Sequence, residues 1–270
     1  MPEPLTAQRP ELAIDTRRYP IGASGAMAGV VASARAALAR DGVAILDGFL
    51  RPEAVEVICA ECESLGSIAH HHTVMGTPYL ALPDESFPEG HPRRAEIRSA
   101  LNAVAYDQFP ADSLLRALYE WEPLLDAVAA MLDRSPLYRY ADPFGALNVA
   151  VMGDRDELGW HFDQTDFVVS IALQSADAGG EFESATRVRG EGDDERYDAL
   201  RAVLNGDRAG VTSVPMTPGT LMLFEGRRSL HRVTPIAGAT PRYVALLAYN
   251  TKPDTDSSDL LKLVRYGRLP

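Results

Sequence analysis

Three side chains in this sequence have the types and spacing of a metal site: His161, Asp163 and His231. His161 and Asp163 are two residues apart on a segment predicted to be extended, where alternate side chains point to the same side. His231 lies in a later strand-like run and supplies a third ligand. Two neutral imidazoles and one carboxylate form a facial triad that favours Fe(II) and leaves three coordination positions open for cosubstrate, water and dioxygen.

An arginine follows the last of these ligands by eleven residues. Arg242 begins a run, Tyr243 to Tyr249, that reads as a buried strand. A guanidinium is permanently charged and binds a carboxylate through two parallel hydrogen bonds. Near such a metal, Arg242 therefore suits a dicarboxylate cosubstrate.

Together, the His-x-Asp motif, the distant histidine and the following arginine resemble the Fe(II)/2-oxoglutarate-dependent oxygenase superfamily. The resemblance covers about residues 135–252, and the segment Asp41–Leu50 is similar to the opening strand of that fold. It implies that the protein uses Fe(II), 2-oxoglutarate and dioxygen, and that Arg242 holds the far carboxylate of 2-oxoglutarate. It also implies a cosubstrate contact at Asn148, for which a plain strand amide is the alternative.

Two shorter runs, 161–170 and 179–183, are similar to a smaller bacterial group that acts on free amino acids. That group contains halogenases of lysine-like substrates and related hydroxylases. Its halogenases carry Gly or Ala where this sequence has Asp163, so that chloride can take the coordination position of the carboxylate. The resemblance therefore implies hydroxylation of an unactivated C–H bond of a small substrate, a free amino acid.

An amino-acid substrate needs charged partners in its pocket, because buried charges must be paired. We expect Arg98 to bind its carboxylate, and Asn250 and Thr251, just after the last core strand, to bind its polar groups. Trp160, beside the first ligand, is a candidate pocket wall, with a role in the core as the alternative.

Other functions fit the same residues. Desaturation or cyclisation of a small natural-product intermediate would use the same iron site. A non-catalytic, cupin-like binding module would use the histidines only structurally. A zinc hydrolase is disfavoured by Arg242 and by the lack of a candidate base beside the triad.

Composition limits the class of protein. Hydrophobic residues make up 46% and charged residues 24% of 270 residues, which is typical of a globular protein with a sizeable core. The net charge of −12 disfavours nucleic-acid or anionic-membrane partners. The sequence shows no membrane span and no signal-peptide pattern, which favours the cytoplasm. Cys59 and Cys62 read as ordinary helix residues. A homodimer is left open.

The pattern along the chain predicts an α+β fold with a mainly β core: a double-stranded β-helix, or cupin-like jelly roll, with N-terminal buttressing helices. We expect a single domain, 1–270, with four parts. These are an extended arm (1–24), a helical buttress with the opening strand (25–134), the jelly-roll core (135–252) and a C-terminal extension (253–270).

Eight strand-like runs follow Pro136: Leu137–Tyr140, Ala146–Met152, Phe167–Leu173, Phe182–Val188, Val211–Pro215, Thr220–Phe224, Ser229–Thr234 and Tyr243–Asn250. Before them, the predicted elements are helices at Ala26–Arg40, Pro52–Leu65, Ala95–Ala105 and Asp112–Leu132, and a strand at Val43–Phe49. Glu191–Asn205 is predicted to be a helical insertion. Ile68–Arg93, with three consecutive histidines, is predicted to be a polar loop near the site mouth; the sharper alternative is that one histidine contacts substrate.

Overall fold

A computed structural model describes residues 5–23, 25–192 and 194–270. The helices described are α1 (Ala28–Asp41), α2 (Pro52–Leu65), α3 (Leu114–Glu120), α4 (Glu122–Leu132), α5 (Tyr197–Leu204) and α6 (Asp259–Tyr266). The strands described are β1 (Val43–Leu46), β2 (His70–Gly76), β3 (Ile97–Val104), β4 (Tyr138–Arg139), β5 (Leu147–Met152), β6 (Glu157–His161), β7 (Val168–Gln174), β8 (Phe182–Ala185), β9 (Val211–Val214), β10 (Leu221–Phe224), β11 (Leu230–Val233), β12 (Arg242–Leu247) and β13 (Tyr249–Asn250).

An antiparallel sheet of eleven strands forms the body of the molecule. Ten of its strands follow the order β1-β10-β7-β12-β5-β3-β6-β11-β8-β9, and β2 pairs with β3. β3 joins the two halves of the sheet, because Asn102–Val104 pair with β5 and Ser99–Ala100 pair with β6. β4 and β13 form a separate pair.

The two halves face each other across an apolar interior. Ala150 and Met152 of β5 share a buried cluster with Phe182 of β8 and Val233 of β11. Along β5, alternate residues such as Val149 face the other way, into the cluster formed with helices α1–α4. This arrangement confirms the predicted jelly roll, mainly β, with helices against one half.

Two local predictions are wrong: the helix over residues 95–105 and the loop that contains the three consecutive histidines. Residues 95–105 were expected to be helical because Ala and Leu favour helices, but Ile97–Val104 form β3. The pairing of β3 with β2, β5 and β6 outweighs that weak propensity. The three histidines lie in β2 and not in a loop.

Three further expectations need adjustment. The helix predicted over Asp112–Leu132 is two helices separated at Trp121, where Pro123 starts the second. The last predicted run divides into β12 and β13. Of the predicted N-terminal arm, residues 5–23 are described, and they lie against the core, with Ala13 and Ile14 buried; residues 1–4 and 24 are outside the described residues.

A β-bulge at the end of β6 determines which way the first predicted ligand points. His161 pairs with His231 and Leu158 pairs with Val233, so three steps along β6 face two along β11. The extra residue returns His161 to the interior face, which it shares with Leu158. Gly159 permits the bulge, because a Cβ atom there would overlap Ile97 Cγ2 and the carbonyl oxygen of Arg98 on β3.

We expect Gly159→Ala to push β6 away from β3 and to turn His161 out of position. Overpacking of this kind lowers the free energy of unfolding by about 1–3 kcal/mol, and Fe(II) binding should weaken as well. Gly153→Ala is the matched control, because its Cβ would meet only Asp156 Oδ2, at 3.9 Å. Equal unfolding free energies and equal Fe(II) affinities for the two variants would contradict this role of the bulge.

Candidate metal centre

The two histidines lie side by side on paired strands. The centroids of the His161 and His231 rings are 4.2 Å apart. Nδ1 of His161 lies 2.8 Å from the carbonyl oxygen of Gly159, and Nδ1 of His231 lies 3.0 Å from that of Ser229. A carbonyl oxygen only accepts, so each Nδ1 carries the proton and each Nε2 keeps a free lone pair for a metal.

Asp163 brings the third ligand from just beyond the end of β6. Its carboxylate oxygens lie 3.9 Å from His161 Nε2 and 3.3 Å from His231 Nε2. One ligand atom from each of the three residues lies within 4.8 Å of the others. Asp163 Oδ2 is buried and accepts no hydrogen bond from any described residue. An orphaned anionic oxygen beside two imidazole lone pairs fits a divalent cation.

Gly226 makes room for that carboxylate. The backbone N–H of Asp163 donates to the carbonyl oxygen of Gly226 at 3.0 Å, which ties the segment after β6 to the turn before β11. A Cβ atom at position 226 would overlap Asp163 Oδ2. The absence of a side chain at Gly226 therefore allows the Asp163 carboxylate to point towards the two histidines.

Burial keeps the imidazole of His161 in the form that binds metals. Burial, together with the charge of the neighbouring His231, lowers the pKa of His161 to about 4. The imidazole is therefore neutral at physiological pH, as a metal ligand must be. Phe182 and Phe224 line the other side of His231, with ring centroids 5.5 and 4.8 Å from its own.

Arg242 is a buried cation that forms no ion pair with any carboxylate of the described residues. It is the first residue of β12, pairs with Met152 of β5 and is 6% exposed. Its one hydrogen-bond contact among the described residues is from Nη1 to Met152 Sδ, at 3.9 Å. Burial lowers its pKa to about 10, so it remains charged at neutral pH. Such a guanidinium is costly unless a ligand carboxylate pairs with it.

The space for this arginine comes from the opposite half of the sheet. A Cβ atom on Gly180, just before β8, would lie 2.8 Å from Arg242 Cδ. The side chain therefore extends between the two halves, as a group that binds a molecule in the interior must.

Asn148 lies on the same interior face as Arg242. It is buried in β5 and pairs with Leu246 of β12, which in turn pairs with Ser170 of β7. The hydroxyl of Ser170 is buried and has no partner among the described residues. Two polar groups in an apolar face fit the predicted cosubstrate contact at Asn148, which stays a prediction.

Two of the substrate residues expected from the sequence are placed elsewhere. Arg98 forms an ion pair with Glu157 at 2.9 Å, with 40% of its side chain exposed, so it is not a free donor for a carboxylate. Trp160 lies on the outer side of the bulge, in a cluster with Leu200 and Val203 of α5. The ring of Trp160 is a core aromatic and not a pocket wall.

The other two substrate residues remain predictions. Asn250 is half-buried at the end of β13, and Thr251 is exposed beside it. Burial raises the pKa of the Tyr140 hydroxyl, and a hydrogen bond with the Asn250 side chain offsets part of that rise. Asn250 therefore lies beside β4, near the end of the core.

Sequence reasoning missed Gly159 and Gly226. Neither glycine has a positive φ angle. Each is needed because another segment of the chain approaches its Cα atom closely. Only contacts between strands show that need. The adjacency of each glycine to a metal-ligand segment was the one available signal.

The fold, the triad and the buried arginine together define an Fe(II)- and 2-oxoglutarate-dependent oxygenase, with dioxygen as its other substrate. The family model of halogenase D matches residues 27–261. The chain belongs to the halogenase D family. No curated protein matches the sequence.

Solved structures of the same fold are similar over most of the chain. AviO1 from Streptomyces viridochromogenes Tue57 is 20% identical, with a TM-score of 0.54 over 86% of this chain and 98% of that one. A 2OG-Fe(II) oxygenase family oxidoreductase from Burkholderia pseudomallei is 15% identical, with a TM-score of 0.51 over 82% and 91%. The α-ketoglutarate-dependent epimerase SnoN of nogalamycin biosynthesis is 15% identical, with a TM-score of 0.54 over 82% and 80%.

None of the helices in the described part of the chain has the length and apolar character needed to cross a membrane.

Substituting Gly226 tests the position of the third ligand. We expect Gly226→Ala to displace the Asp163 carboxylate and to weaken Fe(II) binding by at least about tenfold, since ligand positioning typically contributes that much to metal affinity. Gly210→Ala is the control, because its Cβ would meet nothing within 4 Å. Metal titration followed by calorimetry measures the effect, and unchanged affinity in Gly226→Ala would contradict this geometry.

Replacing Arg242 should separate stability from binding. Arg242→Met removes a buried, unpaired charge, so we expect the free energy of unfolding of the metal-free protein to rise by about 1 kcal/mol or more. Its affinity for 2-oxoglutarate should fall about 100-fold, because charge-assisted bonds to the far carboxylate are lost. Arg242→Lys keeps the charge but not the two parallel donors of the guanidinium, so its affinity for 2-oxoglutarate should lie between those of the wild type and Arg242→Met. An Arg242→Met protein that is less stable yet binds 2-oxoglutarate normally would refute this role.

Proposed function

We propose that the protein hydroxylates an unactivated C–H bond of a small substrate, a free amino acid, in a reaction that depends on Fe(II) and 2-oxoglutarate. The observation that carries the proposal is the carboxylate of Asp163: its Oδ2 is buried 3.3 Å from His231 Nε2 and accepts no hydrogen bond from the described residues. Halogenation would need that coordination position for a halide. The family takes its name from a halogenase, and this chain retains the ligand that excludes a halide.

The residues of this chain have separate tasks in that reaction. Bound iron would activate dioxygen, the oxidant, with 2-oxoglutarate as the co-reductant that is converted to succinate, and this would supply the chemistry that removes a hydrogen atom from carbon. His161 and His231 would hold the metal through Nε2, each oriented by a backbone carbonyl. Arg242 would bind the far carboxylate of 2-oxoglutarate. Phe182 and Phe224 keep water away from the side of His231.

The amino-acid substrate is supported by the similarity of residues 161–170 and 179–183 to the bacterial group that acts on free amino acids. Screening the common free L-amino acids for substrate-dependent succinate release tests it. Mass spectrometry of the product then identifies the reaction, because hydroxylation adds one oxygen atom, whereas desaturation or cyclisation removes two hydrogen atoms. Succinate release that no amino acid stimulates would refute this substrate class.

We expect Asp163→Ala to abolish hydroxylation, because it removes the anionic ligand. The fold should remain intact, since the buried Oδ2 accepts no hydrogen bond from the described residues. Asp166→Ala is a close control: Asp166 is exposed and pairs with Arg227 at 3.0 Å. Product formation measures the loss, and near-normal hydroxylation by Asp163→Ala would show that Asp163 is not a ligand.

A further inference from the structure

Helix α6 packs on β2 and β3, at the edge of the interior. Tyr266, its last residue, belongs to the buried cluster between the two halves of the sheet, with Leu101 and Phe144, and its ring lies 5.6 Å from that of Phe144. The side chains that α6 directs inward are therefore placed near the space between the halves.

Two of the three consecutive histidines lie on that interior face of β2. His70 pairs with Ala103 and His72 with Leu101, and both partners belong to the cluster between the halves. The rings of His70 and His72 are stacked, with centroids 6.4 Å apart. Nδ1 of His72 is buried and has no hydrogen-bond partner among the described residues. His71 points to the other side, near Asp156.

Arg265 lies on α6, which packs on β2. It is half-buried and forms no ion pair with any described carboxylate. Its guanidinium is within hydrogen-bonding reach of the hydroxyl of Tyr266. Burial lowers the pKa of His72 and the charge of Arg265 adds to that effect, so Arg265 lies within electrostatic reach of β2, on which α6 packs. The next residue, Tyr266, shares the buried cluster with Phe182 and Phe224, whose rings lie beside His231.

The nearby buried anion does not neutralise Arg265. Asp142, 1% exposed, accepts the backbone N–H of Phe144 at 2.8 Å, and its other oxygen has no partner in the described chain. The neighbouring cation on α6, Lys262, pairs with Asp256 at 2.7 Å. Arg268 pairs with Asp107 at 2.7 Å. Of the three cations Lys262, Arg265 and Arg268, Arg265 is thus the one that forms no ion pair with a described residue.

We propose that Arg265 and His72 bind the carboxylate of the substrate. A guanidinium offers two parallel donors to a carboxylate, and a neutral imidazole adds a third. The inference rests on the proposed function and makes its substrate class specific: a small molecule with a free carboxylate, held on the α6 side of the metal centre. Arg265 takes the role that the sequence suggested for Arg98, because the guanidinium of Arg98 is paired with Glu157. Arg242 then serves the cosubstrate and Arg265 the substrate.

The test compares acids with their neutral counterparts. The protein is loaded with Fe(II) and 2-oxoglutarate without oxygen, and the visible charge-transfer band of the chelate is recorded. The common L-amino acids and their primary amides are then added one at a time, and the change in the band gives each dissociation constant. We expect at least one acid to perturb the band and its amide to bind at least about tenfold more weakly.

Variants then assign the effect to Arg265. We expect Arg265→Met to raise the dissociation constant of that acid by about 10- to 100-fold, while binding of its amide and of 2-oxoglutarate stays the same. Arg265→Lys should lie between the wild type and Arg265→Met. Arg268→Met is the control, from the same end of the chain, and should bind the acid normally. His72→Phe should weaken binding of the acid less than Arg265→Met does.

The outcomes separate the two proposals. Absence of the band would overturn both the oxygenase function and the subsite. A normal band with no response to any acid, or with equal responses to acid and amide, would overturn the subsite alone. Equal weakening in Arg265→Met and Arg268→Met would also overturn it, because the effect would then belong to the C-terminal segment and not to the guanidinium.

Discussion

The antiparallel pairing of His161 with His231 is the constraint on which the rest of the structure depends. It places two imidazoles 4.2 Å apart, centroid to centroid, on neighbouring strands. The pairing exists in this register only because a bulge, permitted by Gly159, turns His161 to the interior while Trp160 packs under α5. Asp163 then follows directly and is seated by Gly226. One local departure from regular strand geometry thus sets the position of three ligands.

The interior contains polar groups that folding alone does not satisfy. Asp163 Oδ2 and Ser170 Oγ are buried without hydrogen bonds from the described residues, and the guanidinium of Arg242 is buried without an anion. Each costs stability in the empty protein. A bound metal ion would compensate the first and a cosubstrate carboxylate the last, so binding should stabilise the protein strongly. Buried polar groups that lack partners are expected at functional sites, where binding and not stability determines the residue.

The sequence predicts the triad and Arg242 because the spacing of those residues reflects chemistry that does not depend on the details of the fold. It also predicts most strands, which alternate clearly, and the end of α1, where Gly42 adopts a φ of 69°. It fails for β3, whose Ala and Leu residues favour helix until three other strands pair with it. It fails for Arg98 and Trp160, since an ion pair with Glu157 and the bulge after Gly159 arise only in three dimensions. Nothing in the sequence singles out Arg265, because its lack of an ion pair with the described carboxylates shows only in three dimensions.

Anaerobic titration of the purified protein with Fe(II) and 2-oxoglutarate tests the central claim most directly. If His161, Asp163 and His231 hold the metal while Arg242 anchors the cosubstrate, a weak visible charge-transfer band should appear only when both are present. It should saturate at one equivalent of each. A non-catalytic jelly roll, or a metal site without a cosubstrate pocket, would give no such band, and that result would contradict the account.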